Sequence, residues 1–207
     1  MAKLILASSS LGREKLLSYL NVPFKIIPSQ LDEDKIKGST PLETIRLRAR
    51  LKGEDVAGII LNSPQISPRN PDRYLIISAD SGAIINENLI GKPDDKKEAV
   101  SILKMLSGRT HQFITAVYIL KVDNSKSNYL KIIQDNYSTS QVTFRDLSDE
   151  DIKLYLSLTD YTRYAAGYRL IGSQTFITQI LGSISNVIGL PLEVIIPVLK
   201  KEKLLRP

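Results

Sequence analysis

The order of apolar segments along the chain most constrains its fold. Apolar runs at 3–7, 24–28 and 74–79 predict buried strands, and amphipathic segments between them predict helices. Farther along, two long strand patterns at 111–122 and 129–144 follow one another with only a short polar turn between them. Alternating strands and helices favour parallel pairing, whereas consecutive strands favour antiparallel pairing. We therefore predict an α/β fold in which a mixed, twisted sheet is flanked by helices.

Capping residues mark the predicted helix boundaries. Thr40, Pro41 and Glu43 form a capping box with proline in the first turn, which predicts a helix reaching about residue 61. The remaining predicted elements are a helix at 11–20, a hairpin around 86–88, helices at 94–106 and 148–158, a strand-rich segment at 167–184 and a final helix opened by Pro191.

Length and composition limit the classes of protein. The 207 residues are enough for one sizeable core, and no linker divides them, so we predict a single domain over 1–207 with a proline-rich inserted loop at 62–73. No apolar run approaches about 20 residues and the first strand begins within three residues, so we expect a cytoplasmic protein without a membrane span. The absence of cysteine excludes disulfides and thiol nucleophiles.

The single histidine and the net charge indicate which kinds of ligand to expect. With only His111 available, a metal would need oxygen ligands, which indicates Mg²⁺ or Mn²⁺. The formal net charge of +6 favours anionic partners. Because the basic residues are dispersed and only 6% of residues are aromatic, this charge favours an ordinary mixed surface over a nucleic-acid-binding stripe.

The junction between the first strand and the first helix has the character of an anion site. A helix N-terminus offers free N–H donors, and the hydroxyls of Ser8, Ser9 and Ser10 could add to them. Gly12 permits close approach, and Arg13 falls on the apolar side of its helix, where a lone charge is costly. A serine cap followed by a structural arginine explains the junction equally well.

Lysines and carboxylates occupy further unusual positions. Lys52 projects from the apolar stripe of the second predicted helix, where it either extends outward along its stem or faces a ligand phosphate. Asp80 directly follows the strand at 74–79, and Asp32 and Glu33 follow another strand. Carboxylates at strand ends face the ligand crevice of open α/β sheets and suit a divalent ion or a base, although acidic residues are also common in turns. His111 is interpreted as a hydrogen-bonded structural residue.

Taken together, these stretches resemble the Maf family of nucleoside triphosphate pyrophosphatases. The resemblance runs in order over nearly the whole chain, and unmatched length falls mainly at 62–73. It rests on LILASSSLGR at 4–13, DE at 32–33, ARLK at 49–52, SADS at 78–81, GKPD at 91–94, EA at 98–99, LSGRTH at 106–111 and SNVIGLP at 185–191.

The resemblance implies a fold related to the inosine triphosphate pyrophosphatase group, with two lobes around a central cleft. It implies metal-dependent hydrolysis of a nucleoside triphosphate to the monophosphate and pyrophosphate, and a homodimer. Asp80 would be the general base and would hold the metal together with Glu33. Lys92 would contact phosphate and act as the third catalytic residue beside Asp80 and Glu33. The implied substrate-binding residues, which also contact phosphate, are Ser8, Ser10, Arg13 and Lys52.

Three specificity positions depart from the family pattern. Gly12 stands where the family commonly has arginine, Ser81 replaces a threonine, and Ile171 replaces the Gln or Glu that reads the base in the pattern Asp-Lys-Ala-Gly-x-Tyr-x-Ile-Gln-Gly. In the same pattern Tyr164 replaces the lysine. Isoleucine cannot hydrogen-bond a base edge, so we predict a base specificity altered from the dTTP/UTP type. The alternatives are a 7-methyl-GTP-type pyrophosphatase and a catalytically weak nucleotide-binding regulator of septum formation or cell division.

Overall fold

A seven-stranded sheet is the framework of the computed structural model, which describes residues 2–62, 73–123 and 129–205. The loop predicted at 62–73 and the turn predicted at 123–128 therefore lie almost wholly outside the described residues. The strands are β1 (Lys3–Leu6), β2 (Phe24–Ile26), β3 (Arg73–Ile85), β4 (Asn88–Ile90), β5 (Thr110–Asp123), β6 (Tyr129–Phe144) and β7 (Ile177–Leu181).

Helices lie between and after these strands. They are α1 (Leu11–Ser18), α2 (Pro41–Leu61), α3 (Lys96–Leu106), α4 (Asp149–Leu158), the short α5 (Leu170–Ser173), α6 (Ile184–Ile188) and α7 (Leu192–Lys201). Short 3₁₀ turns cover Glu33–Lys35, Tyr161–Arg163 and Ala165–Gly167. Among the described residues, no helix is both long enough and apolar enough to cross a membrane.

The sheet is mixed, as predicted. Its order is β2-β1-β3-β5-β6-β7, with β4 also paired to β3. β1 runs parallel to β2 and β3, whereas β3, β5, β6 and β7 pair antiparallel in succession. The local alternation of strand and helix near the N-terminus and the long consecutive strands later in the chain account for the two kinds of pairing.

A break in pairing along one edge of β3 creates the space for a site. β1 pairs with β3 only as far as Leu6 opposite Ile77, and β4 pairs with the same edge only from Ala83 onward. No described strand pairs with this edge at 78–82. Because β1 is parallel and β4 antiparallel to β3, the chain leaves both strands heading towards this gap.

The hairpin between β3 and β4 follows the sequence prediction. Its two turn residues, Asn86 and Glu87, have φ values of 48° and 63°, and Ile85 pairs with Asn88. Positive φ at both central residues is the type I′ geometry that suits the twist of a tight hairpin. The turn therefore returns the chain along β3, towards the gap at 78–82.

Helix α2 covers one face of the sheet. Its apolar residues Ile45, Ala49 and Val56 are buried in a cluster with Ile76 of β3 and Tyr118 of β5. Gly53 is essential to this approach, because a Cβ at that position would lie 2.6 Å from the hydroxyl oxygen of Ser78. The close contact brings the neighbouring Lys52 over the gap in β3. The other face packs against α1 and α7 near β1, and against α3 and α4 near β4.

Two sequence predictions were wrong, and one predicted helix begins later than expected. Asp80 does not follow the end of a strand: β3 runs on through Asp80 and Ser81 to Ile85, because β5 pairs with it along this whole length. The segment 167–184 is not strand-rich. Gly167 and Gly172 have φ values of 68° and 112°, which interrupt extended backbone, and only Ile177–Leu181 forms a strand. The helix predicted from 94 begins at Lys96, where Asp95 accepts a hydrogen bond from the backbone of Glu98.

His111 lies in an aromatic core, as the structural interpretation expected. Its Nε2 is 2.7 Å from the hydroxyl of Tyr168, and its ring lies edge-on to Phe144 with centroids 5.4 Å apart. Burial lowers the pKa of His111 from 6.5 to about 4. The folded protein therefore holds a neutral imidazole under conditions in which the unfolded chain binds a proton.

We expect this histidine to make stability depend on pH. Between its folded pKa of about 4 and its unfolded value of 6.5, the unfolded state binds more protons, so stability falls as the pH falls through that window. Lowering the pH from about 7 to about 4.5 should cost wild type about 2 kcal/mol more than it costs His111→Asn. Urea denaturation of both proteins at each pH measures the difference. Equal pH dependence in the two proteins would contradict the assignment.

Candidate active site

Asp80 occupies the centre of the gap on β3. Asp80 is only 5% exposed, and its Oδ1 lies 3.3 Å from the Nζ of Lys52. Its second oxygen, Oδ2, is buried and has no hydrogen-bond partner within the described ranges. A buried carboxylate oxygen without a donor is costly, which is a reason to expect that a ligand or water binds it.

Lys52 joins two carboxylates. Besides Asp80, its Nζ lies 3.1 Å from Oε1 of Glu33, which comes from the 3₁₀ turn after β2. The lysine is 3% exposed, so its side chain points into the site and does not extend outward to solvent. Of the two sequence interpretations of Lys52, the inward one describes its position.

The two carboxylates differ in their pKa values. Burial raises the pKa of Asp80, and the positive charges of Lys52 and Arg13 offset only part of that rise. Burial also acts to raise the pKa of Glu33, but Lys52, with Lys92 and Arg13, outweighs burial and lowers it. Glu33 is therefore the more readily ionised group, and Asp80 is the better proton acceptor near neutral pH.

Arg13 is fixed beneath the gap by three hydrogen bonds. Its Nε donates to the carbonyl of Gly189 at 2.8 Å, its Nη1 to the hydroxyl of Ser8 at 3.1 Å and its Nη2 to the hydroxyl of Ser81 at 3.0 Å. Arg13 is 8% exposed, and its charge acts on Asp80. The guanidinium of Arg13, which the sequence analysis placed on the apolar face of its helix, is thus held by neutral acceptors, and its charge acts on the Asp80 carboxylate.

The serines after β1 have different environments. Ser8 is buried, and its hydroxyl oxygen accepts from Arg13 and from the backbone N–H of Ser10 at 3.2 Å. Its own hydrogen has no acceptor among the described residues and is therefore available for a ligand. Ser10 is the N-cap of α1, and its hydroxyl accepts from the backbone N–H of Arg13 at 3.5 Å. The N-cap interpretation therefore applies to Ser10, and the anion-site interpretation to Ser8.

Lys92 approaches the gap from the opposite end. It follows β4 by two residues, and its charge lowers the pKa of Glu33. The carbonyl of the preceding Gly91 accepts a hydrogen bond from the backbone N–H of Ala166 at 2.7 Å. Lys92 is therefore near enough to Glu33 for its charge to act on that carboxylate, and it lies next to the segment around Ala166.

The three positions that depart from the family pattern have different environments. Ser81 binds Arg13 directly, whereas Gly12 packs against α6, because a Cβ there would lie 3.3 Å from the carbonyl oxygen of Ile188. Ile171 is 57% exposed and lies outside the ion-pair cluster, a few residues after Ala166. Ala166 and Gly167, which precede it, have φ values of 54° and 68°, so the backbone leading to Ile171 is irregular.

Comparison with known proteins gives the family. The Maf-like protein family matches residues 3–202. The chain belongs to the Maf family. It is 38% identical to a dTTP/UTP pyrophosphatase of Pyrococcus furiosus over 97% of this chain and 95% of that protein. Proteins of the same name from Ruminiclostridium cellulolyticum and Bacillus velezensis are 34% and 35% identical, covering 93% and 91% of this chain and 92% and 90% of theirs. The predicted family and fold are confirmed.

The carboxylates of this Maf protein fit a divalent cation shared with a substrate. The described residues contain no group of three or more His, Asp or Glu side chains that could hold an ion alone. Mg²⁺ usually takes one or two protein carboxylates and completes its shell with substrate phosphates and water. Asp80, with its unpaired Oδ2, and Glu33 supply that number of carboxylates.

Two groups beside the ion-pair cluster were missed by sequence reasoning. Arg48 lies one turn before Lys52 on α2, and its charge lowers the pKa of Asp80. The spacing of four residues before a recognised site lysine was the available signal. The carbonyl of Gly189, in the left-handed conformation that ends α6, was not predictable as an acceptor for Arg13, because a backbone group carries no signal of its own in the sequence.

We expect loss of Lys52 to destabilise this protein strongly. Lys52→Met leaves Asp80 buried without its ion-pair partner, which typically costs about 3–5 kcal/mol. Arg50→Met on the same helix removes an exposed pair with Glu54 and should cost less than about 1 kcal/mol. Chemical denaturation at neutral pH compares them, and the deficit of Lys52→Met should shrink as the pH falls and Asp80 becomes protonated. Similar losses in the two variants would show that the buried pair has no special weight.

Proposed function

We propose that this chain hydrolyses a nucleoside triphosphate to the monophosphate and pyrophosphate. The observation that carries the proposal is Asp80, a buried carboxylate with a raised pKa and one oxygen unpaired among the described residues, surrounded by fixed cations. A general base beside several positive charges suits attack of water on a polyphosphate. Membership of the Maf family and the name shared by the relatives, dTTP/UTP pyrophosphatase, support the same enzyme class.

Asp80 would activate the attacking water. In the proposed step, Oδ2 of Asp80 accepts a proton from water while the water oxygen forms a bond to the α-phosphorus. The bond from the α-phosphorus to the oxygen bridging to the β-phosphorus breaks, and its electron pair leaves with pyrophosphate. The pKa of Asp80 lies above its ordinary value, which makes it a stronger base than an exposed aspartate.

The cations would bind the phosphates and stabilise the charge that develops on them. Lys52 and Arg13 are immobilised before a substrate arrives, so little reorganisation is needed at the moment of reaction. Ser8 has an available hydroxyl hydrogen beside Arg13, and Ser10 lies at the start of α1, where free N–H groups favour anions. Lys92, whose charge acts on Glu33, completes the set.

Asp80 and Glu33 would hold a divalent cation, Mg²⁺ or Mn²⁺. When bound, such an ion supplies charge neutralisation for the phosphate oxygens. Lys52 lies within 3.3 Å of an oxygen of each carboxylate and keeps the two groups together when no ion is bound. The lowered pKa of Glu33 keeps it ionised and therefore competent as a ligand.

Replacing Asp80 tests the chemistry. Asp80→Asn keeps the size of the side chain but removes the base, so kcat/KM for pyrophosphate release should fall by about 10²–10⁴-fold. The matched control is Asp149→Asn, because the Asp149 side chain is 82% exposed at the surface of α4. A coupled pyrophosphate assay in Mg²⁺ and in Mn²⁺ measures both. Near-wild-type turnover by a folded Asp80→Asn protein would reject the mechanism.

We further propose that base selectivity differs from that of the dTTP/UTP type. Isoleucine at 171 and glycine at 12 offer no side-chain hydrogen bond to a base edge, and a site that lacks such a group discriminates weakly. A 7-methyl-GTP-type activity is the alternative within the family. The alternative from another functional class is a catalytically weak nucleotide-binding regulator of septum formation or cell division. The Oδ2 of Asp80, unpaired within the described ranges, favours turnover over that role.

Restoring an amide at position 171 should sharpen selectivity. Ile171 is 57% exposed, so Ile171→Gln is expected to fold, and it should raise the preference for dTTP and UTP over the other triphosphates by about tenfold. Ile184→Gln, at an isoleucine that is 59% exposed elsewhere, is the control. The measurement is kcat/KM across a panel of common and modified triphosphates. A sharp dTTP and UTP preference in wild type would contradict the proposal.

The organisation of the chain follows from the same resemblance. We infer one domain over 1–207 with two lobes around the site, a homodimer, and a location in the cytoplasm, as the family resemblance and the composition suggest. The dispersed basic residues support a nucleotide as the partner in preference to nucleic acid. Sedimentation equilibrium of the purified protein tests the homodimer.

A further inference from the structure

Lys92 is held from both sides by one irregular segment, Ala165 to Tyr168. The backbone N–H of Ala166 donates to the carbonyl of Gly91 at 2.7 Å. Gly167 packs against Pro93, since a Cβ there would lie 3.3 Å from Cγ of the proline. The residues immediately before and after Lys92 therefore both rest on this segment.

The segment has little regular structure to hold it in place. Ala166 and Gly167 have φ values of 54° and 68°, and the 3₁₀ turn Ala165–Gly167 is only three residues long. Left-handed backbone at a non-glycine residue is strained and persists where the surroundings impose it. An anchor outside the segment is therefore required.

Tyr168 provides that anchor. It is 3% exposed, and its hydroxyl lies 2.7 Å from Nε2 of His111, which is equally buried on β5. Its ring lies edge-on to His111 and Phe144, with centroids 5.6 Å and 5.0 Å away. One hydrogen bond thus connects the irregular segment to a strand that pairs with β3 along almost its whole length.

We propose that the His111–Tyr168 hydrogen bond positions Lys92 for its ligand. The connection runs from β5 through His111 and Tyr168 to the residues that flank the lysine. His111 and Tyr168 are positioning residues, and Lys92 is the group that meets phosphate. The inference rests on the proposed function in taking the ligand of Lys92 to be a triphosphate.

A purely structural role accounts less well for the choice of residues. Nδ1 of His111 is buried and has no hydrogen-bond partner in the part of the chain that the structure describes. A phenylalanine in this aromatic core would avoid the cost of burying an unpaired ring nitrogen. Local costs of this kind are expected where a polar group has a functional task.

Hydrogen exchange tests the structural link without requiring activity. Tyr168→Phe keeps the ring packing but removes the hydroxyl, so the Ala166 amide should exchange about five- to tenfold faster while amides of β1 stay unchanged. Tyr118→Phe is the matched control, because Tyr118 is also buried on β5 and its hydroxyl binds only Glu54 among the described residues, at 3.4 Å. Unchanged exchange at Ala166 in Tyr168→Phe would overturn the proposal.

A double-mutant cycle with Lys92 tests the functional link. In the wild-type background, Tyr168→Phe should lower kcat/KM for the preferred triphosphate about tenfold. In the Lys92→Met background, the same change should cost less than about twofold, because the group that it positions is gone. Equal losses in both backgrounds would mean a general structural effect and would overturn the proposal.

One further variant separates positioning from stability. His111→Leu combined with Tyr168→Phe removes both polar partners, so the midpoint of thermal unfolding should recover relative to Tyr168→Phe alone. The kinetic defect should persist, because the anchor is still missing, whereas recovery of kcat/KM together with stability would overturn the proposal. A wild-type protein that releases no pyrophosphate would reject the proposed function, and the exchange result would still decide whether Tyr168 anchors the segment beside Lys92.

Discussion

The ammonium of Lys52 between two carboxylates is the interaction on which the site depends. Burying a single charge is costly. Removing one member of a buried ion pair destabilises a protein more than replacing the whole pair with apolar residues, because it leaves the other charge uncompensated. Lys52, Asp80 and Glu33 come from α2, β3 and the turn after β2, so three separate parts of the chain must meet for any one charge to be compensated. Gly53 lets α2 come close enough for this meeting. Packing and electrostatics therefore fix the same geometry.

The mixed sheet explains where that meeting takes place. A fully paired central strand would bury its backbone groups in ladder hydrogen bonds, but β1 and β4 reach the same edge of β3 from opposite ends and stop short of each other. The junction after β1 brings Ser8 and Arg13, and the junction after β4 brings Lys92. A parallel strand and an antiparallel strand on one edge are thus what allows two chain segments to converge on Asp80.

The sequence allowed the charged members of the site to be predicted because their positions are energetically costly. Lys52 and Arg13 interrupt apolar helix faces, and such a cost is visible in periodicity alone. Asp80 was singled out as a site residue but placed wrongly at a strand end, because the sequence does not reveal that β5 continues to pair with β3 beyond it. The segment 167–184 was wrongly predicted to be strand-rich, because its glycines were not interpreted as breaks in extended backbone. The carbonyl of Gly189 escaped notice because a backbone acceptor carries no signal of its own in the sequence.

The site residues also differ in how freely they can change. Each member of the ion-pair cluster compensates another, so a substitution at Lys52 or Asp80 leaves an uncompensated buried charge. Ile171 is more than half exposed, and nothing in the cluster depends on its side chain for charge balance. Gly12 is more constrained, because a Cβ there would lie 3.3 Å from two atoms of Ile188. The change in base selectivity that we propose for Ile171 therefore falls at a position where substitution leaves the charges of the ion-pair cluster intact.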